Sequence, residues 1–151
     1  THATNYSRGL ELSSNWKQKK DLSINFGYTY TKSYDGSTCS NPNDSCNEQM
    51  NVRIPEHVFN SMIVKDFNKN FTGSIQFKYV SERRDYGGSD NGFKQVMLKD
   101  YSLINLYADY KIQNDYELNF SLKNLLDEKY NEANNYSTPG RSLNIKLGKK
   151  F

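Results

Sequence analysis

The sequence predicts an all-β protein, an antiparallel up-and-down meander of about seven strands that forms a segment of a transmembrane β-barrel. Three observations predict it. Apolar and polar residues alternate with period two in segment after segment, and no segment carries a helical period. The connections alternate short and long along the chain, as in outer-membrane barrels, whose short turns are periplasmic and long loops extracellular. The aromatic residues also sort by depth. With the carboxyl terminus set at the periplasmic rim, Trp16, Tyr110, Tyr116 and Phe151 fall at one edge and Tyr28, Tyr30 and Tyr79 at the other. Leu12, Ile24, Phe26, Ile75, Leu106, Leu118, Phe120, Leu143, Ile145 and Leu147 lie between them, an aliphatic band flanked by two aromatic girdles. The general preference of aromatic residues for strand ends is the competing reading.

Taken in order, the first strand runs from about Tyr6 to Trp16, with Leu10, Leu12 and Trp16 on one face. After the turn Lys17–Lys20, the strand Asp21–Thr31 sets Leu22, Ile24, Phe26, Tyr28 and Tyr30 against Ser, Asn, Gly and Thr. A Ser-, Asn-, Asp- and Gly-rich stretch from about Lys32 to Ile54 reads as a long loop. Pro55 opens a third strand, Glu56–Asp66, whose facing is ambiguous because Phe59 and Ile63 oppose Val58, Met62 and Val64. A turn at Phe67–Asn70 leads to a fourth strand carrying Ile75, Phe77 and Tyr79, and a second long loop spans Ser81–Gln95. The fifth strand carries Ile104, Leu106, Ala108 and Tyr110. The sixth, after a turn at Gln113–Asp115, carries Tyr116, Leu118, Phe120 and Leu122. A third long loop, Asp127–Pro139, reaches the terminal strand, where Leu143, Ile145, Leu147, Lys149 and Phe151 share a face.

Composition bounds the function. The 151 residues suit one domain, and 35% hydrophobic content with a mean hydropathy of −0.91 is compatible with a barrel that is apolar only at alternate positions. No apolar run approaches the ~20 residues of a spanning helix. The net charge of +3 is scattered, so no basic stripe points to nucleic acid. Cys39 and Cys46, alone in a turn-rich segment without nearby His, read as a loop disulfide of an oxidising compartment. Asp35, Asn43 and Asp44 beside them lack calcium-loop spacing and read as solvated turn residues. No nucleophile, zinc, Walker or dinucleotide motif is present, so neither an enzyme nor a cofactor is expected, and Asp127 and Glu128 read as solvated charges. Thr1–Leu10 has no signal-peptide pattern, which implies either removal of a signal or a piece of a longer protein.

The segments Asn124-Leu125-Leu126-Asp127-Glu128-Lys129-Tyr130 and Thr138-Pro139-Gly140-Arg141-Ser142, with a final strand ending on Phe151, resemble the carboxyl-terminal end of TonB-dependent outer-membrane receptors. Arg8-Gly9-Leu10-Glu11-Leu12, Arg53-Ile54-Pro55-Glu56-His57 and Tyr79-Val80-Ser81-Glu82-Arg83 add to the resemblance, which spans nearly the whole chain; Leu126 stands where the family more often has Phe. The resemblance implies that residues 1–151 are the last third of a 22-strand barrel whose plug domain is absent from this sequence. It implies an importer of a scarce nutrient such as an iron–siderophore complex, haem or cobalamin, in the outer membrane of a Gram-negative bacterium. The implied partners are outer-membrane lipid, the plug and remaining barrel, the TonB energy-coupling complex through the plug, and the barrel-assembly machinery, which would read Phe151. Tyr34, Arg83, Arg84, Tyr86, Tyr130 and Tyr136, aromatic and basic groups on the long loops, form the pool of ligand-binding candidates. Two other classes stay open, a small closed eight-strand outer-membrane barrel with a structural or adhesive role and a soluble lipocalin-type binder. A plug or a signal peptide encoded directly upstream of Thr1 separates the first two readings.

Overall fold

The structure, a computed structural model, describes residues 6–35, 49–89, 92, 94–112 and 115–149. Alternation of apolar and polar residues gives each long segment one face to bury and one to wet, and these segments form strands. They are β1 (Tyr6–Gln18), β2 (Leu22–Asp35), β3 (Gln49–Met50), β4 (His57–Asn68), β5 (Phe71–Val80), β6 (Arg83–Tyr86), β7 (Gln95–Leu98), β8 (Tyr101–Lys111), β9 (Tyr116–Lys123) and β10 (Ser142–Lys149). The described residues contain no α-helix. Seven long strands form one sheet in the order β1-β2-β4-β5-β8-β9-β10, every pair antiparallel; β3 adds two pairs to the end of β2, and β6 and β7 form a separate hairpin.

The seven strands are those the alternation predicts, with extensions. β2 runs on to Asp35, and β4 continues to Asn68 through a register shift between Asp66 and Asn68, where Phe67 stacks on Phe71 at 5.1 Å. The second long loop is not wholly a loop, because Arg83–Tyr86 and Gln95–Leu98 pair across it. Its Gly87-Gly88 and Asn91-Gly92 dipeptides dominate the local sequence and conceal two four-residue strands that alternate too briefly to stand out.

The register assigns every face. Leu12 pairs with Tyr28, Trp16 with Ile24, Ile24 with Ile63, Phe59 with Tyr79, Ile75 with Leu106, Ala108 with Phe120, and Phe120 with Ile145, so the apolar sets of all seven strands form one continuous face. This settles β4: Phe59, Ser61 and Ile63 join the apolar face, and Val58, Met62 and Val64 the polar one. Phe26, Phe59 and Phe77 follow one another across three strands at 6.0 and 5.8 Å. On the polar face, Gln76 Oε1 accepts from Asn105 Nδ2 (3.0 Å) and the Tyr107 hydroxyl (3.2 Å), and Asn119 donates to Asp109 at 2.7 Å.

Among the described residues no second layer covers the apolar face. Leu143, Ile145 and Leu147 are 62%, 59% and 62% exposed, whereas a second sheet or a helical layer would bury such residues almost completely. Exposed to water, such a face forfeits about 25 cal/mol per Å². An uncovered apolar face of this height is what the wall of a transmembrane β-barrel turns outward. The few buried apolar residues, Val80, Leu98, Tyr101 and Leu103 among them, gather at the end of the sheet where the long connections lie. Gly9 allows the close approach of β1 and β2, since a Cβ there would stand 2.4 Å from the Tyr30 carbonyl oxygen.

Candidate functional site

At the long-connection end, three segments far apart in sequence dock on one another. Pairing of Val80 with Tyr101 and of Lys78 with Leu103 puts Val80, Tyr101 and Leu103 on the polar face, and the connection between β9 and β10 folds over them. The Tyr130 ring packs on Tyr101 with centroids 4.3 Å apart. Arg83 is buried, its guanidinium 5.6 Å above the Tyr101 ring, and Nη2 donates to the Asn131 and Glu132 carbonyls at 2.9 and 3.0 Å. Its Nη1 is a buried donor without a partner among the described residues.

Asp85, fully buried, is the second joint. One carboxylate oxygen accepts from Arg53 Nε (2.6 Å) and the Tyr86 amide (2.8 Å), and the other accepts from the Asn134 amide (2.6 Å). Burial pushes this carboxyl up, but the Asn134 amide, the Arg53 hydrogen bond and charge, and the Tyr86 amide together outweigh it and hold the group below its ordinary value. Arg53, in the left-handed region at φ 64°, also donates its amide to the Arg84 carbonyl at 2.6 Å, and Asn134 Nδ2 donates to the Tyr86 carbonyl at 3.1 Å. Burial pushes the Tyr130 hydroxyl up, and the nearby Glu132 charge adds to it.

The last connection is closed by its own motif. Asn124 is buried at φ 51°; its side-chain oxygen accepts from the Glu128 amide (2.8 Å), Nδ2 donates to the Glu128 carbonyl (2.9 Å), and its amide donates to Asn105 Oδ1 (2.8 Å). Asp127 is not simply a solvated charge, because its carboxylate accepts from the Arg141 amide at 2.7 Å and so joins the two ends of the connection. A Cβ on Gly140 would stand 2.7 Å from that same oxygen, so glycine is what lets the two ends meet. The segments Arg53–His57 and Tyr79–Arg83 meet through His57, whose amide donates to Ser81 Oγ at 3.0 Å and whose Nδ1 shares a hydrogen bond of 2.8 Å with the Tyr28 hydroxyl.

The pool of candidate residues divides. Arg83 and Tyr130 lie in the docked cluster on the polar side. Arg84 and Tyr86 alternate with Arg83 and Asp85 along β6, so they project from the opposite face of the hairpin; Tyr86 is exposed. Arg84 and Arg83 both line a cavity of about 410 Å³, with Glu56, His57, Tyr79 and Met97 among the other lining residues. Tyr34 belongs to β2, not to a loop, and is buried with the Lys32 ammonium 5.3 Å from its ring centre. Tyr136 stands exposed in the last connection. Cys39, Cys46 and Phe151, and the Asn43 and Asp44 of the calcium reading, lie outside the described residues. Sequence reasoning missed Asp85 and Asn134. Their partnership crosses 49 positions, and no local pattern marks either residue.

A family model described as TonB dependent receptor-like, beta-barrel, matches residues 3–125. The chain belongs to this family. Its members are transport receptors, and the TonB-dependent receptor barrels of known structure share its fold. The pyoverdine outer membrane receptor FpvA from Pseudomonas aeruginosa superposes with a TM-score of 0.76 at 16% identity, over 97% of this chain and 22% of that one. The siderophore receptor PiuA from Acinetobacter baumannii gives 0.71 at 20% identity over 96% and 22%, and the ferric-catecholate import receptor Fiu from E. coli gives 0.71 at 16% identity over 97% and 20%. The chain therefore spans about a fifth of the length of these receptors. No curated protein sequence matches it.

Proposed function

We propose that this TonB-dependent receptor segment is the carboxyl-terminal barrel wall of an energy-coupled importer in the outer membrane of a Gram-negative bacterium, and that the imported nutrient is an iron–siderophore complex, with haem or cobalamin as alternatives of the same transport class. The observation that carries the reading is the single-layer sheet: one face apolar over seven strands, the other polar and overlaid at one end by docked loops, in the fold of siderophore receptor barrels. The plug and the remaining strands belong to other parts of the receptor, and TonB acts through that plug. The barrel-assembly machinery takes the final strand through Phe151.

Within the pool, the placement supports two roles. Arg83 and Tyr130 fix the loop surface over the polar wall. Tyr136, exposed beside them, contacts the chelate by stacking, and Arg84 and Tyr86 present charge and ring area on the hairpin's other face. The test is uptake of ⁵⁵Fe-labelled siderophores, haem and labelled cobalamin by an iron-starved strain deleted for the receptor and complemented with it. Loss of uptake on deletion, recovery on complementation and abolition when TonB is inactivated are expected. Unchanged uptake of every one of these nutrients after deletion would overturn the proposal.

A further inference from the structure

We propose that the apolar face carries, above Tyr28 and Tyr30, a site for the phosphate of a membrane-lipid headgroup, held between Arg8 and Lys32; this rests on the membrane reading of the sheet. The two residues are direct register partners across β1 and β2, and they share the face of the next pair down, Leu10 and Tyr30. Like charges placed directly opposite destabilise a strand pair, and here neither side chain forms an ion pair with a described residue. Lys32 is positioned by the Tyr34 ring, which orients the ammonium without neutralising it. An anion between the two cations turns their repulsion into two charge-assisted hydrogen bonds, and the guanidinium fork suits phosphate.

Height and surroundings point to a lipid. From the Gln18–Leu22 pair at the short-turn rim up to Arg8–Lys32, a rise of about 3.4 Å per residue and a tilt of about 40° give about 25 Å, the height of the apolar band of such barrels. Below the cations run Leu10 and Leu12, both about half exposed, on the same face as Tyr28 and Tyr30. A ligand seated on the cations thus meets an apolar strip on the membrane side, which fits an amphiphile with a phosphorylated head and acyl tails. The opposite rim differs. There Lys65, also on the apolar face, is neutralised by its salt bridge to Asp21.

The test uses the full-length receptor that contains this chain, purified from outer membranes. A heat-modifiable barrel in that fraction establishes the membrane reading separately, so failure there is distinguished from failure of the lipid site. Native mass spectrometry then measures retention of diphosphoryl lipid A. Arg8→Gln with Lys32→Gln is expected to lower retention about tenfold or more, while the charge-conserving pair Arg8→Lys and Lys32→Arg and the rim control Lys65→Gln keep it. Dephosphorylated lipid A should bind the wild type as weakly as diphosphoryl lipid A binds the double Gln variant. Equal retention by the double Gln variant, an equal loss with Lys65→Gln, or full competition by inorganic phosphate would each overturn the proposal, the last by revealing a free-anion site.

Discussion

Replacing Asp85 by Ala should loosen the β6–β7 hairpin from the last connection, leaving the Arg83 bonds to Asn131 and Glu132 and the seven-strand sheet in place. The carboxylate accepts three hydrogen bonds, from Arg53 Nε, the Tyr86 amide and the Asn134 amide, and is fully buried. Removing it strands two amides and a guanidinium. Hydrogen bonds to a charged group are worth about 1.5–3 kcal/mol each, yet the Arg53 side chain is 55% exposed and regains water, so its share is discounted. A local loss of about 2–4 kcal/mol follows, which corresponds to amide exchange about 30- to 1000-fold faster at Tyr86 and Asn134. Asn at this position keeps one acceptor and turns an amide hydrogen toward a donor, so it should fall between Ala and wild type. The pH dependence has a definite sign. Because the folded carboxyl lies below its ordinary value of 3.8, its contribution is complete above that value and is lost as pH falls through the lower folded one. Hydrogen exchange by mass spectrometry on the folded receptor is the assay. Unchanged exchange at the hairpin and last connection in Asp85→Ala, or loss of the whole barrel, would refute the reasoning.

Three further outcomes follow from the same geometry. Phe120→Arg, on the apolar face near mid-height, should lower barrel stability by about 2–4 kcal/mol in urea titrations of refolding into vesicles, whereas Ser121→Arg on the polar face should change it little; equal effects would contradict the assignment of faces. Asn124→Ala removes the side-chain bonds to Glu128 from a residue at φ 51° and should loosen the last connection by about 2 kcal/mol, seen as faster proteolysis between β9 and β10. Cys39 and Cys46 should appear as one disulfide in non-reduced protein from outer membranes, and mass spectrometry finding two free thiols would rule that out.

What the sequence determined by itself is local and periodic. Period-two alternation located the seven long strands, and because every one of them but β4 has an unmistakable apolar side, it also determined which residues form the sheet's apolar face; β4, with Phe59 and Ile63 against Val58 and Met62, could not be faced this way. Its facing came from its neighbours, since Ile24 on one side and Ile75 on the other leave one choice for Ile63. The motifs Asn124–Tyr130, Arg53–His57 and Tyr79–Arg83 were legible as family marks, but their common purpose was not. Only the tertiary structure brings them to one end of the sheet, where Arg53 reaches Asp85 across 32 positions and Asp85 reaches Asn134 across 49. A carboxylate surrounded by backbone amides has no sequence signature, because its partners contribute N–H groups that every residue but proline possesses. For that reason the strands and their lipid face could be read from the chain alone, while the joint that holds the loops required the fold.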